Sequence, residues 1–101
     1  MNAQQIFTPI KNMTFMTVHH DRTAFLNYCE HTQQQNIIID LNSIEQCDSA
    51  GLSFLLEAKR ICYNLGLNCQ IINMPTLTTA LAEFCGVKNL LLGMDVKSND
   101  R

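Results

Sequence analysis

The sequence predicts an α/β fold, a sheet with helices packed on it, and three observations carry that reading. Asn36–Leu41, "NIIIDL", holds three consecutive isoleucines, the pattern of a strand covered on both faces. Ser49–Leu65 has helical apolar spacing and ends at Gly66, a helix-stopping residue. A second strand, "NCQIIN" (Asn68–Asn73), follows directly, and alternation of strands with helices is the mark of α/β layering.

The remaining elements follow in order. Residues 6–18 divide into two short extended pieces around "KN", and Pro9 places the first at an edge or strand start. Val18, Phe25, Tyr28, Cys29 and Thr32 fall at helical intervals, with Thr17 as N-cap. Asp21 and Arg22 interrupt that stripe, so the opening of this helix is weakly helical. A third helix starts at Pro75–Thr76 with Leu77, Ala80, Leu81, Phe84 and Cys85 on one stripe, and Gly86 ends it. "VKNLLLG" reads as a short final strand or an apolar turn. Residues 1–5 and 94–101 are expected to be frayed tails.

The 101 residues suit one domain with an ordinary core, and 47% of them are hydrophobic. A formal charge of −2 with only 7 Lys and Arg, none clustered, argues against binding nucleic acid or an anionic membrane surface. No apolar run approaches the ~20 residues of a membrane span, and the N-terminus lacks signal-peptide character. A cytoplasmic protein is expected. The five cysteines (Cys29, Cys47, Cys62, Cys69, Cys85) include no Cys-x-x-Cys pair and read as reduced thiols packed among apolar residues.

Chemistry-bearing patterns are scarce. His19, His20 and His31 have no metal-ligand spacing, and the glycines are isolated rather than gathered in a phosphate loop. Cys47 has no recognisable base, and the glutamates form no acid–base pair. No enzyme, metal or cofactor is expected. Attention falls instead on "CDSAGL", Cys47–Leu52, between the Ile-rich strand and a helix. Asp48 or Ser49 can cap that helix. The same position suits an anion or a contact site, because a helix N-terminus offers unpaired N–H groups and a partial positive charge. Gly51 permits close approach of another backbone or a tight fit against the sheet.

On a helical wheel, Ser53, Glu57, Arg60 and Asn64 form a polar face, and Leu55, Ala58, Ile61, Cys62 and Leu65 face the sheet. Leu52, Leu56 and Tyr63 widen the apolar arc, interrupted by Lys59. That excess is filled either by the neighbouring helix or by a partner protein.

"NIIIDLNSIEQCDSAGLSFLLEAKR" resembles the central signature of STAS domains, in which a strand ending in Asp-Leu leads to Asp-Ser/Thr-small-Gly at a helix start. Asp40, Asp48, Ser49, Gly51 and Leu52 occupy the matching positions. The resemblance implies a mixed four- to five-stranded sheet with three helices, and a hydroxyl at Ser49 that takes a phosphate in phospho-regulated members. "MTFMTV" (Met13–Val18) and "NMPTLTTALAEFCGVKNLL" are similar to the STAS subunits of Mla-type phospholipid transport systems. Asp21 and Arg22 depart from the apolar first helix of such relatives. The resemblance implies a non-enzymatic subunit held at the inner membrane by an ABC-type ATPase partner, which it contacts through Asp48, Ser49, Gly51, Leu52, Leu56, Lys59 and Tyr63. The alternative is an anti-sigma factor antagonist, partnered by a serine kinase or anti-sigma factor and switched at Ser49.

Overall fold

The structure, a computed structural model, describes residues 5–9 and 12–92. Its element order is β1 (Gln5–Phe7), β2 (Asn12–Met13), α1 (Val18–His31), β3 (Asn36–Asp40), β4 (Gln46–Cys47), α2 (Ser49–Asn64), β5 (Asn68–Ile72), α3 (Thr76–Phe84) and α4 (Lys88–Leu92). The expected tails fall outside the described residues except for Gln5, which opens β1.

β3 is the centre of a three-stranded parallel sheet in the order β1-β3-β5. The register sets Ile38 between Ile6 and Gln70. The two remaining strands, β2 and β4, pair in parallel as a separate ribbon, Asn12 opposite Gln46 and Met13 opposite Cys47. The five strands are thus split between two small sheets, where one mixed sheet was expected. Every described pairing is parallel, because each connection crosses over through a helix.

All three isoleucines of β3 are buried, as a strand covered on both faces predicts, but their neighbours differ. Ile37 and Ile39 point into the core, which α1 and α2 cover, and both are buried. Ile38 points to the opposite face, where its neighbours Ile6 and Gln70 are exposed.

α1 begins at Val18, as its spacing predicts, and Asp21 and Arg22 do not weaken its start. Asp21 is buried on the same stripe as Phe25 and Cys29, in the first turn, where the partial positive charge of the helix end favours a carboxylate. Arg22 reaches α2, its Nε and Nη2 donating to Glu57 Oε1 and Oε2 at 2.8 and 2.7 Å. Thr17 holds the N-cap position without capping through its side chain. Its hydroxyl instead donates to the Asn12 carbonyl and accepts from the Thr14 N–H.

α2 packs against α1 through Phe54, whose ring meets Phe25 edge-on at 6.1 Å. Leu65, assigned to the sheet side by the wheel, is the C-cap residue and is exposed. Gly66 and Gly86 both take positive φ, 74° and 77°. Each closes its helix by the same pair of bonds, Gly66 N–H to Tyr63 O with Leu67 N–H to Cys62 O, and Gly86 N–H to Glu83 O with Val87 N–H to Ala82 O. After Gly86 the chain enters α4 rather than the expected strand or turn, and Leu91 completes the core. The described residues therefore carry four helices where three were expected.

The cysteines are all free. Cys29 and Cys62 lie in the core with their sulfurs 4.0 Å apart, whereas Cys85 is exposed.

Candidate functional site

The β2–β4 ribbon is what builds the site. Pairing Met13 with Cys47 brings the loop after β2, Thr14–Thr17, against the N-terminus of α2. Asp48 then joins the two. Its Oδ1 accepts the N–H groups of Ala50 and Gly51 at 2.9 and 3.1 Å, capping α2. Its Oδ2 accepts the Phe15 N–H at 2.9 Å. The Phe15 bond, followed by those from Gly51 and Ala50, holds the Asp48 carboxyl below its ordinary pKa against the opposing effect of burial.

Gly51 is fixed by the same ribbon. A Cβ there would collide with the Met13 carbonyl oxygen and come within 2.7 Å of Cys47 Sγ. Of the two uses the sequence allows for this glycine, the structure shows the tight internal fit.

With Asp48 and Gly51 engaged internally, Ser49 is left on the outside. It is the first residue of α2 and is exposed. Beside it the loop presents Phe15 and Met16, 76% and 82% exposed. A hydroxyl at a helix N-terminus, flanked by two bare apolar side chains, is an arrangement suited to protein contact. A shallow groove of about 410 Å³ runs from Phe15 between α1 and α2, past Ser53 to the Arg22–Glu57 pair.

The remaining expected contact residues divide. Tyr63 is 84% exposed, and Leu56 is half-buried against the core. At 100° per residue, Ser49, Ser53, Leu56, Arg60 and Tyr63 form one outward stripe on α2. Leu52 does not belong to it: at 3% exposure it is a core residue, which corrects its place in a partner surface. Lys59 turns inward along the helix flank, and its Nζ donates to the Cys69 carbonyl at 2.9 Å. Asp40 is a structural residue of the neighbouring loops, its Oδ1 accepting from the Asn42 N–H and the Asn73 amide at 2.9 and 3.0 Å.

Phe15 and Met16 were missed by sequence reasoning. Their signal was an apolar pair between two threonines in a segment too short to be a strand. Cys47 does not have the lowered pKa of an activated nucleophile: burial pushes its thiol up to about 11, and its Sγ donates to the Asp48 carbonyl at 3.4 Å. Among the described residues, no group of His, Cys, Asp and Glu is arranged to hold a metal ion. Nor is any described helix long and apolar enough to cross a membrane.

Parallel strands joined by crossover helices thus set an Asp cap and an exposed Ser at the start of the second long helix. Two solved structures share the fold. One is a sulfate transporter family protein from Wolinella succinogenes, with a TM-score of 0.70 and 17% identity over 87% of this chain and 70% of that one. The other is the anti-sigma factor antagonist SpoIIAA in its unphosphorylated form, with a TM-score of 0.69 and 14% identity over 87% of this chain and 76% of that one. No curated protein sequence matches the chain. The family model for the MlaB-type STAS domain matches residues 14–93, and the chain belongs to that family.

Proposed function

We propose that this chain is a non-enzymatic cytoplasmic subunit that binds and supports the ATPase of a Gram-negative phospholipid-transporting ABC complex. Membership of the MlaB-type family is the observation that carries this reading. The site supports it: Ser49, with Phe15 and Met16 beside it, gives a partner both a polar reference point and apolar area. Asp48 and Gly51 serve the surface indirectly, by holding the Phe15 loop and the helix start in fixed relation.

A second reading rests on the fold shared with SpoIIAA, an anti-sigma factor antagonist whose described form is the unphosphorylated one. Under it, Ser49 takes a phosphate from a serine kinase. The α2 N-terminus would favour the roughly −1.5 to −2 charge added, while the Asp48 carboxylate beside it would oppose it.

Affinity for the purified ATPase of the same cell's Mla-type transporter separates the two. The transport reading expects tight binding by the wild type and by Ser49→Ala, with loss of binding in Ser49→Glu. If the wild type leaves that ATPase unbound, and protein from cells carries phosphate on Ser49, the transport reading is wrong.

A further inference from the structure

Three of the five cysteines meet in the core, one from each of three elements. Cys29 belongs to α1, Cys62 to α2 and Cys69 to β5. Cys29 and Cys62 are 5% and 1% exposed, and their sulfurs lie 4.0 Å apart. Cys69 is half-buried against the same core, and the neighbouring Cys62 thiol, followed by burial, pushes its pKa up. Burial is the main cause that pushes Cys29 up. Thiols kept protonated in this way are slow nucleophiles in the closed fold. They react when the structure opens locally, and on closing each sulfur meets the one already packed against it.

We propose that Cys29 and Cys62 are a redox pair that closes into a disulfide between α1 and α2 under oxidising conditions. Their sulfurs need to approach by about 2 Å to reach the S–S bond length of about 2.05 Å. The two helices are already held together by the Phe25–Phe54 contact and the Arg22–Glu57 pair, which leaves the closing movement to the two side chains. The oxidant is a small disulfide of the glutathione type. During a local opening one protein thiol loses its proton, and its sulfur attacks the small disulfide and releases one small thiolate. The second protein sulfur, deprotonated in turn, attacks the first and displaces the other small thiolate. The two released thiolates take up the two protons, so two protein thiols are oxidised and one small disulfide is reduced to two thiols. The bridge spans 33 residues and removes freedom from the unfolded chain. α1 and α2 also wall the groove from Phe15 to the Arg22–Glu57 pair, so the bridge fixes its width. The pair acts in the same way whatever partner meets Ser49.

The test equilibrates the full chain with mixtures of oxidised and reduced glutathione. Remaining thiols are then alkylated in denaturant, and the chain is digested and mapped by mass spectrometry. Cys85→Ser serves as the background, because it removes the exposed thiol and leaves the core pair intact. The expected product is a peptide pair joined through Cys29 and Cys62, which excess reductant returns to free thiols. The oxidised chain is expected to melt several degrees above the reduced one, and Cys62→Ala to lose both the bridge and the shift. The mapping itself needs no core variant, so it reads the pair in the native packing. Absence of the Cys29–Cys62 peptide at every glutathione ratio that leaves the chain folded overturns the proposal. So does a bridge from Cys62 to Cys69 in its place. A Cys29–Cys62 bridge that lowers the melting temperature also overturns it, since that marks oxidative damage to the core.

Discussion

Asp48 holds two elements with one carboxylate, which makes it the most consequential polar side chain of the site. Asp48→Ala removes a helix cap and is expected to cost about 1–2 kcal/mol, read as a lower Tm. The pH dependence follows from the direction of its shift. The folded-state carboxyl ionises at a lower pH than the unfolded one, so its stabilisation is complete above the ordinary carboxylate pKa of about 4. It is lost as the pH falls through the lower, folded-state value. Wild type should therefore lose stability below about pH 4 more steeply than Asp48→Asn in denaturant titrations. Leu52→Asp buries an unpaired charge in the core and is expected to cost about 3 kcal/mol or more. Loss of partner binding in that variant would report unfolding. Ser49→Glu and Met16→Ser test the surface itself, since both positions are exposed.

The elements are held by devices of two different kinds, and glycine substitutions tell them apart. At Gly66 an added Cβ meets nothing within 4 Å, so the cost is only that of a left-handed backbone, about 1–2 kcal/mol for Gly66→Ala. At Gly51 the backbone is ordinary and the space is filled by Met13 and Cys47. Gly51→Ala must displace the β2–β4 ribbon, and it is expected to weaken partner binding as well as stability. Gly66→Ala should leave binding intact, and parallel melting and binding measurements on both variants check this. Between α1 and α2, the Arg22 hydrogen bonds and charge hold the Glu57 carboxyl below its ordinary range. NMR titration of Arg22→Ala should show the Glu57 pKa rise, with little change in stability, because Arg22 is exposed.

Among the described residues, the helices cover one face of the three-stranded sheet, and the exposed large apolar side chains are spread over β1 (Ile6), the loop after β2 (Phe15, Met16), the end of α2 (Tyr63, Leu65), α3 (Leu77, Phe84) and α4 (Leu90). Phe15 and Met16 crown one end of α2, Tyr63 lies near the other, and Leu77 and Phe84 line α3. Under the proposed function, a partner covering Phe15 and Met16 beside Ser49 binds mainly by apolar burial. Its association should have a negative heat-capacity change and depend little on salt, which calorimetry at several temperatures and ionic strengths will show.

The strand at Asn36–Asp40, the long helix from Ser49 and a cap at Asp48 or Ser49 were legible in the sequence, because periodicity, capping and glycine stops are local properties of the chain; the structure assigns the cap to Asp48. The sequence placed the Ser49 hydroxyl at the exposed turn, and the structure leaves it exposed because Asp48 takes the cap. The facing of each helix was not legible. Periodicity shows that α3 is amphipathic, but the packing buries Thr78 and Ala82 and leaves Leu77 and Phe84 in solvent, with Leu81 partly buried against the core. Leu52 and Tyr63 stand on one apolar arc of the sequence, and only the packing around α2 sends one into the core and the other into solvent. The split into two sheets and the placing of Phe15 beside Ser49 depend on Met13 meeting Cys47. That pairing joins strands distant along the chain, which local pattern does not encode and tertiary contact alone decides.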